Sequence, residues 1–448
     1  MRAESSTHTR QFRLRRGLDL NLAGAPGLDI GAAPAVGTVA LPGIDLAGLR
    51  PALRVAVGDR VTLGQVLAHD RHDPDLVFTS PGTGTVTAIH YGDRRALLAL
   101  VIALTDETTG LELADPLDPA SVAAADVRRR LLAAGLWPAF RTRPFSRIPG
   151  STEQADAIFV TGLDTAPLAG DPRVAIDRDP AAFRTGITAL TRLTAGPVYV
   201  CRAPGDPLPL PDAPRIVDAV FSGPHPAGLP GTHIHHLHPV GSRPGTGRAV
   251  WYLAGQDVIA IGRLLASGRL DQRRIIALSG AVDRPRLIET RVGACVADLT
   301  GTPAAGLRVL AGDPLTGRDI TAETGWLGRL EWQVTLLREA PPAPAFGWVR
   351  AALGALAPGI GLPPATTRVH GRPTGMLPVD TFERVLPLDL LPSPLLRALL
   401  LRDTDTAVEL GCLELAAEDL ALCSYVCPAR HDYGAALRAT LDDYRQNG

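Results

Sequence analysis

Residues 55–67 read VAVGDRVTLGQVL and residues 80–86 read SPGTGTV. Each is a β-branched run interrupted by glycine where the chain must turn, at Gly58 and Gly64 in the first and at Gly82 and Gly84 in the second. Short strands punctuated this way predict a small β domain. Similar runs at 53–57, 84–89 and 97–104 extend it from residue 14 to about 105. The loop between the two quoted stretches is His69, Asp70, Arg71, His72, Asp73, Pro74, Asp75.

The two stretches resemble the biotinyl/lipoyl carrier fold, in which a lysine sits at a hairpin tip between them. This chain has no lysine anywhere: all 45 basic residues are arginine. The module therefore reads as structural rather than as a swinging arm. The same absence excludes a P-loop of the usual kind, whose lysine reaches the nucleotide phosphates, and a pyridoxal phosphate Schiff base.

With 448 residues the chain predicts roughly three domains of ordinary size. Its 46 acidic residues balance the arginines to a net charge of −1, and aromatics are only 4%. Neither a basic field nor stacking platforms are on offer, so nucleic acid is excluded as a partner. A membrane-spanning helix needs about 20 consecutive apolar residues. The run 96–104 is too short, and 351–367 is broken by Pro358, Pro363 and Pro364. Residues 1–16 carry Arg2, Arg10, Arg13, Arg15 and Arg16 against Glu4, without the apolar centre of a signal peptide. They read as a disordered basic tail, with an anionic membrane surface as its natural contact. Five scattered cysteines make no disulfide framework and indicate a reducing compartment.

Beyond a Pro/Asp-rich stretch at 115–120 the pattern turns helical. Ser121 reads as the cap of a helix over 122–136. Buried strands at 157–160, 198–201 and 216–221, with a helix over 183–193 among them, give the rhythm of an α/β sheet. Functional loops of such sheets follow the strand C-termini. The loop at 162–167 (GLDTAP) lacks G-x-G-x-x-G, so a nicotinamide site has no support in it. Short strands at 273–278, 286–289 and 308–310 form another compact mixed domain. A proline-rich linker follows, and then a leucine-rich, acidic helical end.

Three constellations bear on chemistry. Cys423, Cys427 and Pro428 match the second half of the ferredoxin run C-x2-C-x2-C-x3-C-P. Ala417 and Leu420 hold the first two positions and cannot ligate iron, and Cys412 stands at the wrong spacing, so the motif reads as degenerate. His225, His233, His235, His236 and His238 form a second group. On a strand, alternation would put His233 and His235 on one face, where with His225 they form a zinc candidate; no Cys or carboxylate completes the set, and the competing reading is a polar edge strand. In the third, Phe140, Arg141, Arg143, Phe145 and Arg147 interleave aromatic surface with guanidinium donors, which suits a quinone ring and its carbonyls; the competing reading is a solvated connector. No serine nucleophile elbow and no H-E-x-x-H is present, so no catalytic residue and no metal ligand is assigned.

In order, RGLDL (16–20), GLWPAFRTRPFS (135–146), GPHPAGLPGTHI (223–234), QDVIAIG (256–262), Asp403 to Asp405 and EDLALCSYVCP (418–428) resemble the NqrA family, the A subunits of the sodium-translocating NADH:quinone reductase. The match covers nearly the whole chain, with about the first eleven residues outside it. The family is similar to the C subunit of the Rnf complex and to the flavin subunit of respiratory complex I. In the flavin-binding relatives the loop matching 162–167 carries glutamates, whereas here only Asp164 is acidic and Ala166 replaces the second. The resemblance implies an α/β and α+β multidomain protein. A basic extension (1–12) precedes a barrel-sandwich hybrid (13–115), a Rossmann-like α/β domain (116–270) and a β-grasp, SLBB-like domain (271–340). A proline-rich linker (341–375) and a helical C-terminal domain (376–448) complete it. It further implies a peripheral subunit on the cytoplasmic face of the inner membrane, partnered by the membrane-embedded B subunit together with the C, D, E and F subunits. NADH, flavins and iron–sulfur centres would reside in those partners, and ubiquinone would be the substrate of the complex. The alternatives left open are a purely structural cap and an Rnf-like electron-transfer subunit.

Overall fold

The computed structural model describes residues 9–106, 115–241, 248–338, 367–369, 375–376 and 380–447. Nearly all of the expected proline-rich linker lies outside them. The chain opens with β1 (Arg10–Arg13) and β2 (Ile30–Gly31), then builds seven further strands. These are β3 (Thr38–Pro42), β4 (Pro51–Leu53), β5 (Arg60–Val61), β6 (Val66–Asp70), β7 (Val77–Thr79), β8 (Thr83–Tyr91) and β9 (Leu97–Asp106). They pair as two small sheets, β3-β9-β8-β5 and β4-β6-β7, around Leu67, Val86, Leu100 and Ile102. The run at 53–57 is strand only to Leu53. The hairpin between β6 and β7, where a carrier would present its lysine, is pinned: Asp73 accepts hydrogen bonds from the Ser151 amide (2.6 Å) and hydroxyl (2.8 Å) of the next domain.

That domain begins with α1 (Ala124–Ala133), preceded by Ala123 rather than capped by Ser121, whose hydroxyl bonds Asp118 instead. It continues through β10 (Arg141–Arg143), β11 (Ala157–Gly162), α2 (Arg173–Arg178), α3 (Pro180–Leu193), β12 (Val198–Arg202), β13 (Ile216–Ser222), α4 (Pro230–Leu237), β14 (Val250–Ala254) and α5 (Gly255–Ser267). The sheet order is β1-β13-β12-β11-β14-β10, parallel except for β10. The central strands are apolar on both faces because helices cover both. On one side α3 and α5 bury Phe183, Ile187, Leu190, Ile261 and Leu265, each contributing about 1.5–3 kcal/mol. Their close approach requires glycine: a Cβ on Gly262 would run into the Ala182 carbonyl and one on Gly186 into that of Val258. On the other side Phe159, Tyr199 and Phe221 pack under Ile234 of α4.

A third unit holds β15 (Arg273–Gly280), β16 (Arg286–Arg291), α6 (Val296–Thr300), β17 (Leu307–Ala311), β18 (Arg318–Asp319) and β19 (Gln333–Arg338), ordered β18-β17-β19-β15-β16-β2. The C-terminal unit packs α7 (Thr381–Val385), α8 (Pro392–Leu401), α9 (Thr404–Glu409), α10 (Ala421–Val426) and α11 (Tyr433–Asn447) around a leucine core.

The N-terminal segment departs from the disordered tail expected through residue 12. β1 adds to the α/β sheet beside β13, and Phe12 stacks on Phe221 at 4.7 Å. The ladder and that stacking hold the strand, since its own sequence, RQFR, has no apolar pattern. From there Gly17 bonds the Arg384 carbonyl, Leu18 bonds that of His225, and β2 pairs with β16. Residues 10–31 thus tie three units together before the first barrel strand begins.

Candidate functional site

The C-terminal ends of β11 and β14 open onto a cleft of about 1140 Å³ between the α/β domain, the third unit and the helical C-terminal unit. Leu163, Asp164 and Tyr252 line it from the sheet, Val309 and Trp332 from the third unit, and Glu418 from the C-terminal unit. Its position matches the general rule for open α/β sheets.

The segment 140–147 lies along one wall, but its residues part company. Phe140 is fully buried between Trp137 (5.2 Å) and Trp251 (5.6 Å), so it is core and offers no face to a ligand. Arg141 and Arg143 flank Thr142 on β10, the antiparallel edge strand. Arg141 lines the cleft, bonding the Pro138 and Phe140 carbonyls through Nη1 alone; among the described residues its Nε and Nη2 take no partner. Arg143 is fully buried and joins domains: it donates to the Tyr252 hydroxyl (2.9 Å), Glu418 (3.0 Å) and Asp419 (3.2 Å). Phe145, at φ 79°, stacks on Tyr444 of α11 at 6.4 Å. Arg147 pairs with Glu153 at 2.5 Å. Of the five candidates, only Arg141 faces the cleft from this segment, beside Ser146, whose hydroxyl bonds that of Tyr252 at 2.9 Å.

Glu418 and Asp419 carry no sequence signal as site residues, although both lie in the motif quoted for its cysteines. Burial raises the Asp419 pKa to about 6 despite the opposing pull of Arg143. A Cβ on Gly231, in the first turn of α4, would collide with the Asp419 carboxylate, so the glycine lets the two domains close.

The cysteine run does not fit a cluster. Cys423 and Cys427 are buried, Leu420 is fully buried in the same leucine core, and Cys427 Sγ lies 3.4 Å from the Tyr433 hydroxyl. Burial pushes the Cys423 thiol well up, the reverse of what a metal ligand needs. In the loop 162–167 burial raises the one carboxyl, Asp164, to about 6, and that group accepts the Ala166 amide of its own turn.

His233, His235 and His236 lie on α4 with His238 just past its end, and His225 in the loop before it, not on a strand, because Pro230 starts a helix where the Gly/Pro-rich flanks suggested an edge. Their side chains therefore diverge. His233 is buried against Phe221 with Nε2 on the Ala227 carbonyl, and burial draws its pKa down to about 3. His235 accepts the Asp389 amide, while His225 meets the Thr165 hydroxyl. Among the described residues no three His, Cys, Asp or Glu side chains are grouped to hold a metal.

Family models match three segments of the chain: residues 12–105 the NqrA N-terminal barrel-sandwich hybrid domain, 122–270 the NqrA second alpha/beta domain, and 275–322 the NQRA C-terminal domain. Curated relatives match end to end. The chain is 43% identical to the A subunit of the Na(+)-translocating NADH-quinone reductase of Neisseria meningitidis over 98% of its length and 100% of the relative's. It is 44% identical to that of Pseudomonas aeruginosa over the same shares, and 41% identical to that of Rhodopirellula baltica over 97% and 98%. No helix among the described residues is long and apolar enough to cross a membrane. With three domain matches in order and full-length identity above 40%, the chain belongs to the NqrA family, the A subunits of the Na(+)-translocating NADH-quinone reductase.

Proposed function

We propose that this chain works on the cytoplasmic face of the membrane, docked on the membrane-embedded B subunit in the company of the C, D, E and F subunits. In this reading NADH, flavins and iron–sulfur centres are handled by those partners, and this chain contacts ubiquinone through its cleft. The observation that carries the reading is the presence, in one cleft, of apolar surface and a donor. Leu307, Val309 and Leu315 line it together with the exposed Ile44 and Leu330, and Arg141 lines it too. A quinone ring needs both, since its carbonyls only accept hydrogen bonds and its tail is apolar. The volume, about 1140 Å³, slightly exceeds the roughly 300–1,000 Å³ of small-molecule sites.

The test begins with affinity purification of the tagged chain from gently solubilised membranes, followed by a sodium-stimulated NADH:quinone assay. Co-purification of flavin-bearing membrane subunits with sodium-dependent turnover is expected. In that complex Arg141→Gln should raise the quinone KM about tenfold with flavin content unchanged, because a hydrogen bond from a charged donor contributes about 1.5–3 kcal/mol. A chain that purifies alone overturns the assignment of partners. An unchanged KM in an intact complex overturns the quinone contact and leaves the structural cap.

A further inference from the structure

Beside Arg141 lies a charge cluster of which the quinone reading uses Arg141 alone. Arg274 and Arg329 are buried there, at 5% and 8% exposure. Arg274 donates through Nη2 to Asp257 at 2.5 Å and its guanidinium stacks on Trp332, 4.7 Å from the ring centre. Arg329 gives its backbone amide to Asp45 and Nη2 to the Gly135 carbonyl. Both carboxylates are buried too. With Arg141 alongside, three guanidinium groups face these two carboxylates, and the neighbouring Arg318 and Glu331 pair with each other at 3.2 Å and leave that imbalance unchanged.

The hydrogen bonds are as unbalanced as the charge. Arg274 Nε, Arg274 Nη1 and Arg329 Nη1 are buried and have no partner, against one unpartnered carboxylate oxygen, Asp257 Oδ2. Thr290 pairs with Arg274 across the β15–β16 ladder, and its buried hydroxyl is also unpartnered. Burial, with repulsion from Arg274, brings the Arg329 pKa down to about 10. Native interiors rarely leave buried donors unmet, and a lone buried charge is more costly still. The cluster lies one layer behind the cleft wall: Ile44, next to Asp45 in the chain, Leu330, next to Arg329, and Trp332, stacked on Arg274, all line the cleft with Arg141.

We propose that Arg274 and Arg329, with Arg141 at the entrance, form a binding site for an oxyanion group, the phosphate or carboxylate of a soluble small molecule that enters from the cleft. A guanidinium fork matches either group with paired N–H donors. One bound oxyanion would neutralise the excess charge and accept from the three unmet nitrogens.

The test uses the full-length chain, with inorganic phosphate and citrate as probes and chloride at matched ionic strength as reference. Thermal unfolding should show a saturable rise of about 2 °C or more with at least one probe and none with chloride, as expected when a ligand binds only the folded state. Arg329→Met should abolish the rise, and calorimetric titration of Arg329→Lys, which keeps the charge but not the fork, should show at least tenfold weaker binding. The identity of the responding probe separates phosphate from carboxylate recognition. A wild-type chain indifferent to both probes overturns the proposal. So does an Arg329→Met chain that keeps the full response. If that variant fails to fold, equal affinities of wild type and Arg329→Lys overturn it.

Discussion

Replacing Arg143 by methionine separates a charge effect from a packing effect, because methionine fills much of the same volume without the guanidinium. In the native chain at pH 7 Asp419 is ionised, held so by Arg143 against its burial, with a pKa of about 6. Without Arg143 the buried carboxyl takes up a proton instead. Relative to wild type, that protonation at pH 7 costs about 1.4 kcal/mol, one unit above the native value. The bond to the Tyr252 hydroxyl and the partly exposed pairing with Glu418 together add about 2 kcal/mol at any pH. The expected loss is thus about 3 kcal/mol at pH 7, within the range for removing one partner of a buried pair. At pH 5, below the native pKa, Asp419 is protonated in both proteins and the titrating share disappears, leaving about 2 kcal/mol. Urea unfolding at the two pH values, with hydrogen exchange across residues 416–427, measures both parts. An equal loss at pH 5 and pH 7, or a loss below about 1 kcal/mol at pH 7, would refute the assignment of Arg143 as the charge that joins the two domains.

The remaining expectations follow from burial. His233 is neutral when folded, with its pKa drawn down to about 3 against an unfolded value near 6.5, so its contribution is intact above that value and is lost as pH falls. His233→Gln should remove a stability slope of about 1.4 kcal/mol per pH unit between roughly pH 6 and 3, and identical acid-unfolding curves for the two proteins would contradict this. Cys201, Cys412, Cys423 and Cys427 are buried, while Cys295 is partly exposed. Thiol titration at pH 8 should therefore count one fast-reacting cysteine in the native chain and all five in denaturant; rapid reaction of Cys423 or Cys427 would point back to a redox role. Phe140→Ala should cost about 3–5 kcal/mol as a core truncation, with quinone KM unchanged wherever the complex still assembles.

The legible parts of this fold are those whose stability is local. The strands read at 157–160, 198–201 and 216–221 announce themselves as apolar runs, and the helix read at 183–193 carries its own amphipathic period. β1 is not legible, because a strand of sequence RQFR is held by a partner more than 200 residues away. The α4 helix misleads because three histidines among glycines and prolines resemble an edge strand, although Pro230 is itself a helix-start signal. In the candidate site the sequence points to a segment that lies along the cleft but not to its division of labour. Alternating Phe and Arg suggest one ligand-facing surface. Which arginine lines the cleft and which joins the domains depends on Glu418 and Asp419, 275 and 276 residues beyond Arg143, and no local pattern carries that information.

The N-terminal clasp has a consequence for the order of events at the ribosome. Residues 10–13 are made some 200 residues before their ladder partner, residues 219–222, and Gly17 waits for the carbonyl of Arg384. The barrel strands between 38 and 106 pair mainly with one another and can close early. The leading segment must stay unpaired until most of the chain has been made. Such distant pairing folds late, and the arginines of this stretch keep a waiting strand soluble, since charge is how unpaired edges avoid the wrong neighbour. The contacts of residues 10–18 therefore form long after those residues have been made.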